Sequence, residues 1–439
     1  MSGIEIGALM FVVLLVLIAL RLSIGVAMLL VGMAGYIMLS GWSPLINYLK
    51  TAPYWRFTTY DLSVVPLFLL MGQFATRAGL SRALFHTASV WLGHRRGGIA
   101  MAAIGGCAGF GAICGSSLAT AATIGQVALP ELKRHGYSGS LATGALAAGG
   151  TLGILIPPSV ILVIYAVLTE GNIATMFQAA FIPGFLAAFG YLVAISVYVR
   201  MKPDSGPAGD PSSWREKISS LGDIWAVATI FLVVIGGIYA GVFTPTEGAA
   251  VGAVATGLLA LVHGHLNWQG LRECLLGTAS ATAMIFLIIF GADVFNAFLA
   301  LTQMPAEAAR LIGESTLSPY LVLVVMLLLY LIFGCVMDSL SMILLTVPIF
   351  WPILMGLDFA MDPEELKVWF GIIALIVVEV GLITPPVGMN VFIINKMADN
   401  VPMIESFKGV MPFLISDILR VVILILFPSI TLLLPRLLN

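Results

Sequence analysis

Gly111-Ala112-Ile113-Cys114-Gly115-Ser116-Ser117 and, some forty residues on, Gly153-Ile154-Leu155-Ile156-Pro157-Pro158-Ser159 are the stretches whose reading decides the fold. Both lie in the apolar region from Gly105 to Tyr165, which is long enough to cross a membrane. The first is a run of small and hydroxyl residues. In the second, Pro158 removes a backbone donor and pushes Pro157 out of the helical region. Non-helical backbone at membrane depth is tolerated where protein buries it or where it lines a cavity, so these two interruptions predict a binding site made from broken helices.

The rest of the composition fits a membrane setting. Of 439 residues, 60% are hydrophobic and 10% charged, with a mean hydropathy of +1.07, whereas an average soluble domain carries about 25% charged residues. Apolar runs at Ile4 to Leu20, Leu22 to Leu39, Phe177 to Val199, Ile224 to Val242 and Leu317 to Val336 each approach the roughly 20 residues that span a bilayer. The expected fold is an all-α polytopic membrane protein with about 11 transmembrane helices plus re-entrant hairpins. A barrel would need short alternating strands instead. The Ile4 to Leu20 run has no charged leader before it and reads as a retained span rather than a signal peptide.

The net charge of −2 without a basic block argues against nucleic acid as a partner. Cys107, Cys114, Cys274 and Cys335 have neither metal nor redox spacing and read as packing residues. No zinc pattern appears, and Gly109 to Gly115 lacks the Lys-Ser/Thr ending of a phosphate loop. The expectation is therefore a protein that is not an enzyme and has no organic cofactor. Trp42 to Tyr60, dense in Trp and Tyr, suits a segment lying at the interface or a loop with aromatic packing. Leu62 to Gln73, with Pro66, is short for a span and is a candidate re-entrant segment. Arg200, Lys202, Arg215 and Lys217 favour a cytoplasmic middle, while Arg77 to Arg96 and Lys133-Arg134 compete for that side.

The sequence also repeats. Gly153 with Pro157-Pro158 recurs as Gly381 with Pro385-Pro386, 228 residues on; Ser117 with Pro130 recurs as Ser339 with Pro352, 222 on; Gly25 recurs as Gly248, 223 on. Three landmarks in one order point to a duplicated unit. The expected organisation is a first repeat over residues 1–201, a hydrophilic linker over 202–222 and a second repeat over 223–439.

Around the second pair of breaks stand Gly334, Asp338, Ser339, Ser341, Thr384 and Asn390. Uncoiled backbone frees carbonyl oxygens, and hydroxyls, amides and Asp338 add side-chain oxygens, the donor set of a hard cation such as sodium. Helix N-termini just past the breaks suit a carboxylate on the substrate. Among acids in apolar sequence, Asp338 lies in the repeated cluster and Glu247 reads as the first-turn acid of a helix capped by Thr244 or Thr246. Asp293 and Glu379 are equally compatible with proton relay and with buried structural pairing.

Gly115 to Gly125, Gly153 to Ser159, Phe243-Thr244-Pro245-Thr246-Glu247 and Gly381 to Gly388 together closely resemble the large membrane subunit of tripartite ATP-independent periplasmic (TRAP) transporters, of the DctM type. The resemblance covers essentially the whole chain. It implies a bacterial inner-membrane, sodium-coupled importer of organic acids, C4-dicarboxylates or sialic acid among them, working as an elevator with scaffold and transport portions. It further implies a small DctQ-type membrane subunit, here expected as a separate chain, and a DctP-type periplasmic binding protein. Carried onto this sequence, the sodium role falls on Gly111, Gly115, Ser116, Ser117, Gly153 and Pro157 in one half and on Gly334, Asp338, Ser339, Gly381, Thr384 and Pro385 in the other. Many relatives have Ser-Gly-Ser-Ala where this chain reads Cys114-Gly115-Ser116-Ser117, and a thiol is a poor sodium ligand. Ser116, Thr120, Ser159, Ser341 and Asn390, whose polar groups lie beside the breaks, are the expected substrate contacts. A stand-alone anion transporter of the same architecture, coupled to protons or sodium, is the alternative, and an intramembrane enzyme is disfavoured for want of a nucleophile, base or metal constellation.

Overall fold

The computed structural model describes residues 2–314 and 317–438, and among these every regular element is helical. The first ten α-helices are α1 (Gly3–Ala19), α2 (Ile24–Ser40), α3 (Trp42–Phe57), α4 (Val64–Arg77), α5 (Leu80–Leu92), α6 (Gly98–Cys114), α7 (Ser117–Arg134), α8 (Gly139–Leu155), α9 (Val160–Leu168) and α10 (Ile173–Met201). The next ten are α11 (Trp214–Tyr239), α12 (Pro245–Val262), α13 (Trp268–Thr302), α14 (Met304–Gly313), α15 (Pro319–Gly334), α16 (Ser339–Met355), α17 (Pro363–Gly381), α18 (Met389–Met397), α19 (Met403–Leu426) and α20 (Ser429–Leu438).

Among the described residues, five helices are long and apolar enough to cross a membrane, or up to seven if each bent pair is one span. The bent pairs are residues 60–77 with α5, at 63°, and α8 with α9, at 46°. Other apolar helices, including α6, α15 and α16, are shorter, at 16 or 17 residues. On α10, Phe185, Phe189, Val193 and Val197 recur every fourth residue and are exposed, which makes one apolar stripe with no protein against it, as a lipid-facing helix requires.

Local chemistry sets several helix starts. Thr244 caps α12 with Pro245 at its first position, and Glu247 returns a bond to the Thr244 N–H at 2.8 Å, as the first-turn reading of Glu247 expected. Ser213 and Glu216 make the same reciprocal cap on α11. Within residues 202–222 the chain is consequently α-helical from Trp214 onward. The aromatic segment is helix α3, with Trp42, Tyr54 and Trp55 exposed. It is tied to α13 by the Arg56–Asp293 ion pair and by the Tyr48 hydroxyl, which donates to Asp293 Oδ2 at 3.0 Å. Asp293 is thus a paired structural acid.

The core is assembled around α8, which packs on α6, α7 and α19 and is buried from Leu141 to Leu155. α17 is its counterpart, buried from Leu366 to Gly381 and packed on α15 and α19. The short helices after the proline pairs cross over. α9 packs on α16, and α18 packs on α7 and α8, so each half completes the other.

Candidate functional site

In the first half α6 stops at Cys114 because Gly115 adopts a left-handed backbone, φ 63°, which favours glycine. Ser116 is extended and caps α7, its hydroxyl accepting from the Ala119 N–H at 3.4 Å. One turn further, Thr120 is fully buried, its hydroxyl set against the Cys114 thiol. α8 ends at Leu155, and Ile156 to Ser159 form the second break, with a cis bond between Pro157 and Pro158. Ser159, fully buried, caps α9 by accepting from Leu162 N–H at 3.4 Å. The breaks touch: a Cβ on Gly115 would lie 3.0 Å from the Pro158 carbonyl oxygen. A Cβ on Gly111 would lie 2.6 Å from Gly153 Cα, so only glycines let α6 and α8 cross this closely.

The second half repeats the construction with different chemistry. α15 ends at Gly334, a short turn follows, and Asp338 caps α16, accepting from the Ser341 N–H at 3.1 Å and from its hydroxyl at 2.5 Å. A Cβ on Gly381 would lie 2.6 Å from Gly334 Cα, the same glycine-on-glycine crossing. After α17 the chain turns through Thr384 and the cis-linked Pro385-Pro386 to Gly388, where φ is 59°. The Thr384 hydroxyl donates to its own helix at Val380 O, 2.6 Å.

The two constructions meet. Asn390, fully buried on α18, donates from Nδ2 to the Ala147 carbonyl of α8 at 3.3 Å, and its Oδ1 is unpartnered. Glu379, 1% exposed near the end of α17, accepts from the Ser339 hydroxyl at 2.6 Å. The Ser117 hydroxyl engages the same carboxyl group. Behind it, Tyr191 of α10 donates to Asp417 Oδ2 at 2.8 Å and contacts Thr151 Oγ1 at 2.9 Å, and Asp417 pairs with Arg420 at 2.8 Å.

The residues expected at the site therefore fall into three kinds. Ser116, Ser159 and Asp338 are helix caps; Gly111, Gly153, Gly334 and Gly381 are crossing points; Ser117, Ser339 and Asn390 present buried polar groups where the halves touch, and Thr120 is buried against Gly153 within the first half. Ser341 is occupied by Asp338 and Thr384 by its own helix; Pro157 is buried and Pro385 exposed. Sequence reading left Glu379 open and missed the Tyr191–Asp417–Arg420 group, whose one signal was an acid and a base three residues apart inside the apolar run of α19. Asn390 Oδ1 is a buried oxygen without a partner, and among the described residues no cluster of His, Cys, Asp and Glu suits a transition metal. An oxygen-only donor set of hydroxyls, amide oxygen, freed carbonyls and Asp338 fits a hard monovalent cation. The N-termini of α7 and α9 at the first breaks and of α16 and α18 at the second add partial positive charge suited to an anion.

Residues 11–430 match the family described as "Tripartite ATP-independent periplasmic transporter, DctM component". The chain is 36% identical over 379 residues to the C4-dicarboxylate TRAP transporter large permease protein DctM of Pseudomonas aeruginosa, covering 86% of each protein. It is 31% identical over 417 residues to the sialic acid TRAP transporter large permease protein SiaM of Vibrio cholerae, covering 95% of each. In fold it is similar to the Alcanivorax borkumensis YdaH transporter, with a TM-score of 0.67 at 15% identity over 88% of this chain and 90% of that one.

Proposed function

This chain belongs to the DctM family of TRAP transporter large permeases, multi-pass proteins of the bacterial inner membrane, and on that premise we propose that it is the sodium-coupled importer of an organic acid anion, a C4-dicarboxylate or related carboxylate. The observation that carries the reading is the meeting of two like broken-helix clusters at Glu379 and Asn390, with the buried Asn390 Oδ1 left without a partner. Sodium, bound by the oxygens of each cluster, would offset the charge of a carboxylate held between the helix N-termini.

Each half, residues 1–201 and 223–439, contributes scaffold spans and mobile broken helices, and the mobile parts carry substrate and cations together. A DctP-type binding protein delivers the anion, and a DctQ-type subunit completes the membrane complex. The relatives in curated form include permeases named for C4-dicarboxylates, sialic acid and isethionate, all anions, which supports the substrate class. The test is uptake of a labelled C4-dicarboxylate into proteoliposomes holding the permease and its small subunit. Uptake that needs both an inward sodium gradient and the binding protein supports the reading. Equal uptake in potassium contradicts sodium coupling, and uptake without the binding protein points to a stand-alone anion transporter.

A further inference from the structure

Glu379 touches two hydroxyls that hold the same place in the two breaks. Ser117 is the first residue of α7 and Ser339 the first residue of α16, and they are the pair that recurs 222 residues apart in the sequence. Ser339 donates to Oε1 at 2.6 Å and Ser117 engages the same carboxyl group. The other charged groups acting on it are Asp417 and Arg420 of α19. Arg420 is already held by Asp417 at 2.8 Å, so Glu379 has no cation of its own. A buried carboxyl group without a dedicated counter-charge is a poor way to fill space, since an apolar side chain of similar volume serves stability as well or better. Its geometry offers another use. The residues immediately before its partners, Ser116 and Asp338, are the helix caps in the proposed cation clusters. Any shift of the first turn of α7 on binding a cation is therefore felt through one side chain at the first turn of α16.

We infer that Glu379 is the positioning residue that couples the two clusters, so that a cation bound in one half raises the affinity of the other. This rests on the sodium reading given above. Linkage makes the effect reciprocal between the two sites. One carboxyl serving both first turns holds them at a common spacing, which is the spacing each cluster needs when occupied.

The experiment is thermal unfolding of the purified permease against sodium concentration, with potassium replacing sodium at constant ionic strength. The wild type is expected to gain stability along a curve steeper than two independent sites would give. E379Q keeps the size and one acceptor oxygen; it is expected to retain part of that steepness and to raise the half-saturating sodium concentration about fivefold, the lower end of usual coupling. E379A and the S117A/S339A double variant are expected to give the curve of two independent sites. A role in packing alone would lower the unfolding temperature at every sodium concentration and leave the shape of the curve unchanged, and that result in E379Q and S117A/S339A overturns the inference even where E379A does not fold. A wild-type curve no steeper than two independent sites overturns it as well. A wild type indifferent to sodium removes the sodium reading and the inference with it, and is distinguished by being visible before any variant is made.

Discussion

The first and second broken-helix clusters share their geometry and differ in charge. Ser116 and Asp338 are equivalent caps, yet one is a hydroxyl and the other a carboxylate. Where the second half has Glu379 the first, 228 residues earlier, has Thr151, whose hydroxyl turns to Tyr191. The breaks differ in cover too: residues 151–160 are all buried, whereas Pro385, Pro386 and Val387 are exposed. Both clusters keep what holds helices in place, namely the glycine crossings and caps. Charge stands on one side only: Asp338 and Glu379 belong to the second cluster, while the first is enclosed and uncharged.

Shared geometry makes the largest prediction. Gly111→Val and Gly381→Val each put a Cβ 2.6 Å from the Cα of the facing glycine and are expected to destabilise by at least about 3 kcal/mol, to a similar extent in both halves. Thermal unfolding in detergent measures it, and tolerance of one substitution alone would break the equivalence. Unequal charge makes the next. Asp338→Asn is expected to raise the half-saturating sodium concentration for transport about tenfold, equivalent to about 1.4 kcal/mol, while Ser116→Ala raises it only about twofold; equal shifts would remove the electrostatic distinction. Ser159→Ala loses the buried cap of α9 and is expected to lower stability by about 1 kcal/mol without altering the sodium curve. Thr384→Ala has the smallest structural effect, within about 0.5 kcal/mol, because its hydroxyl returns to its own helix. Any change it makes in sodium activation therefore reports on ligation rather than folding.

Much of this was legible in the chain itself. Double proline after a glycine, twice, marked where helices stop, since proline acts on the backbone locally and leaves its signature in the sequence. The Thr244 to Glu247 cap was legible for the same reason. What the sequence did not show was contact at long range. Nothing in Gly111 or Gly381 states which backbone lies opposite, and nothing in Glu379 states that Ser117 and Ser339 converge on it, because these meetings depend on α9 and α18 crossing to the other half. Asp293 was ambiguous from sequence because its partners Arg56 and Tyr48 lie more than two hundred residues away. Gly-rich stretches likewise read equally well as ligand-binding backbone and as close helix packing, and the crossings at Gly153 and Gly334 show packing as a role the glycines themselves perform.

The most direct test is equilibrium binding of radioactive sodium to the purified permease, its Asp338→Asn variant and its Ser116→Ala variant, with stoichiometry as the readout. Two clusters meeting across the halves predict more than one bound ion in the wild type, with tight binding lost from one class of site in Asp338→Asn and the other class weakened in Ser116→Ala. Wild-type protein that binds no sodium, or binds it identically in all three proteins, would contradict the account.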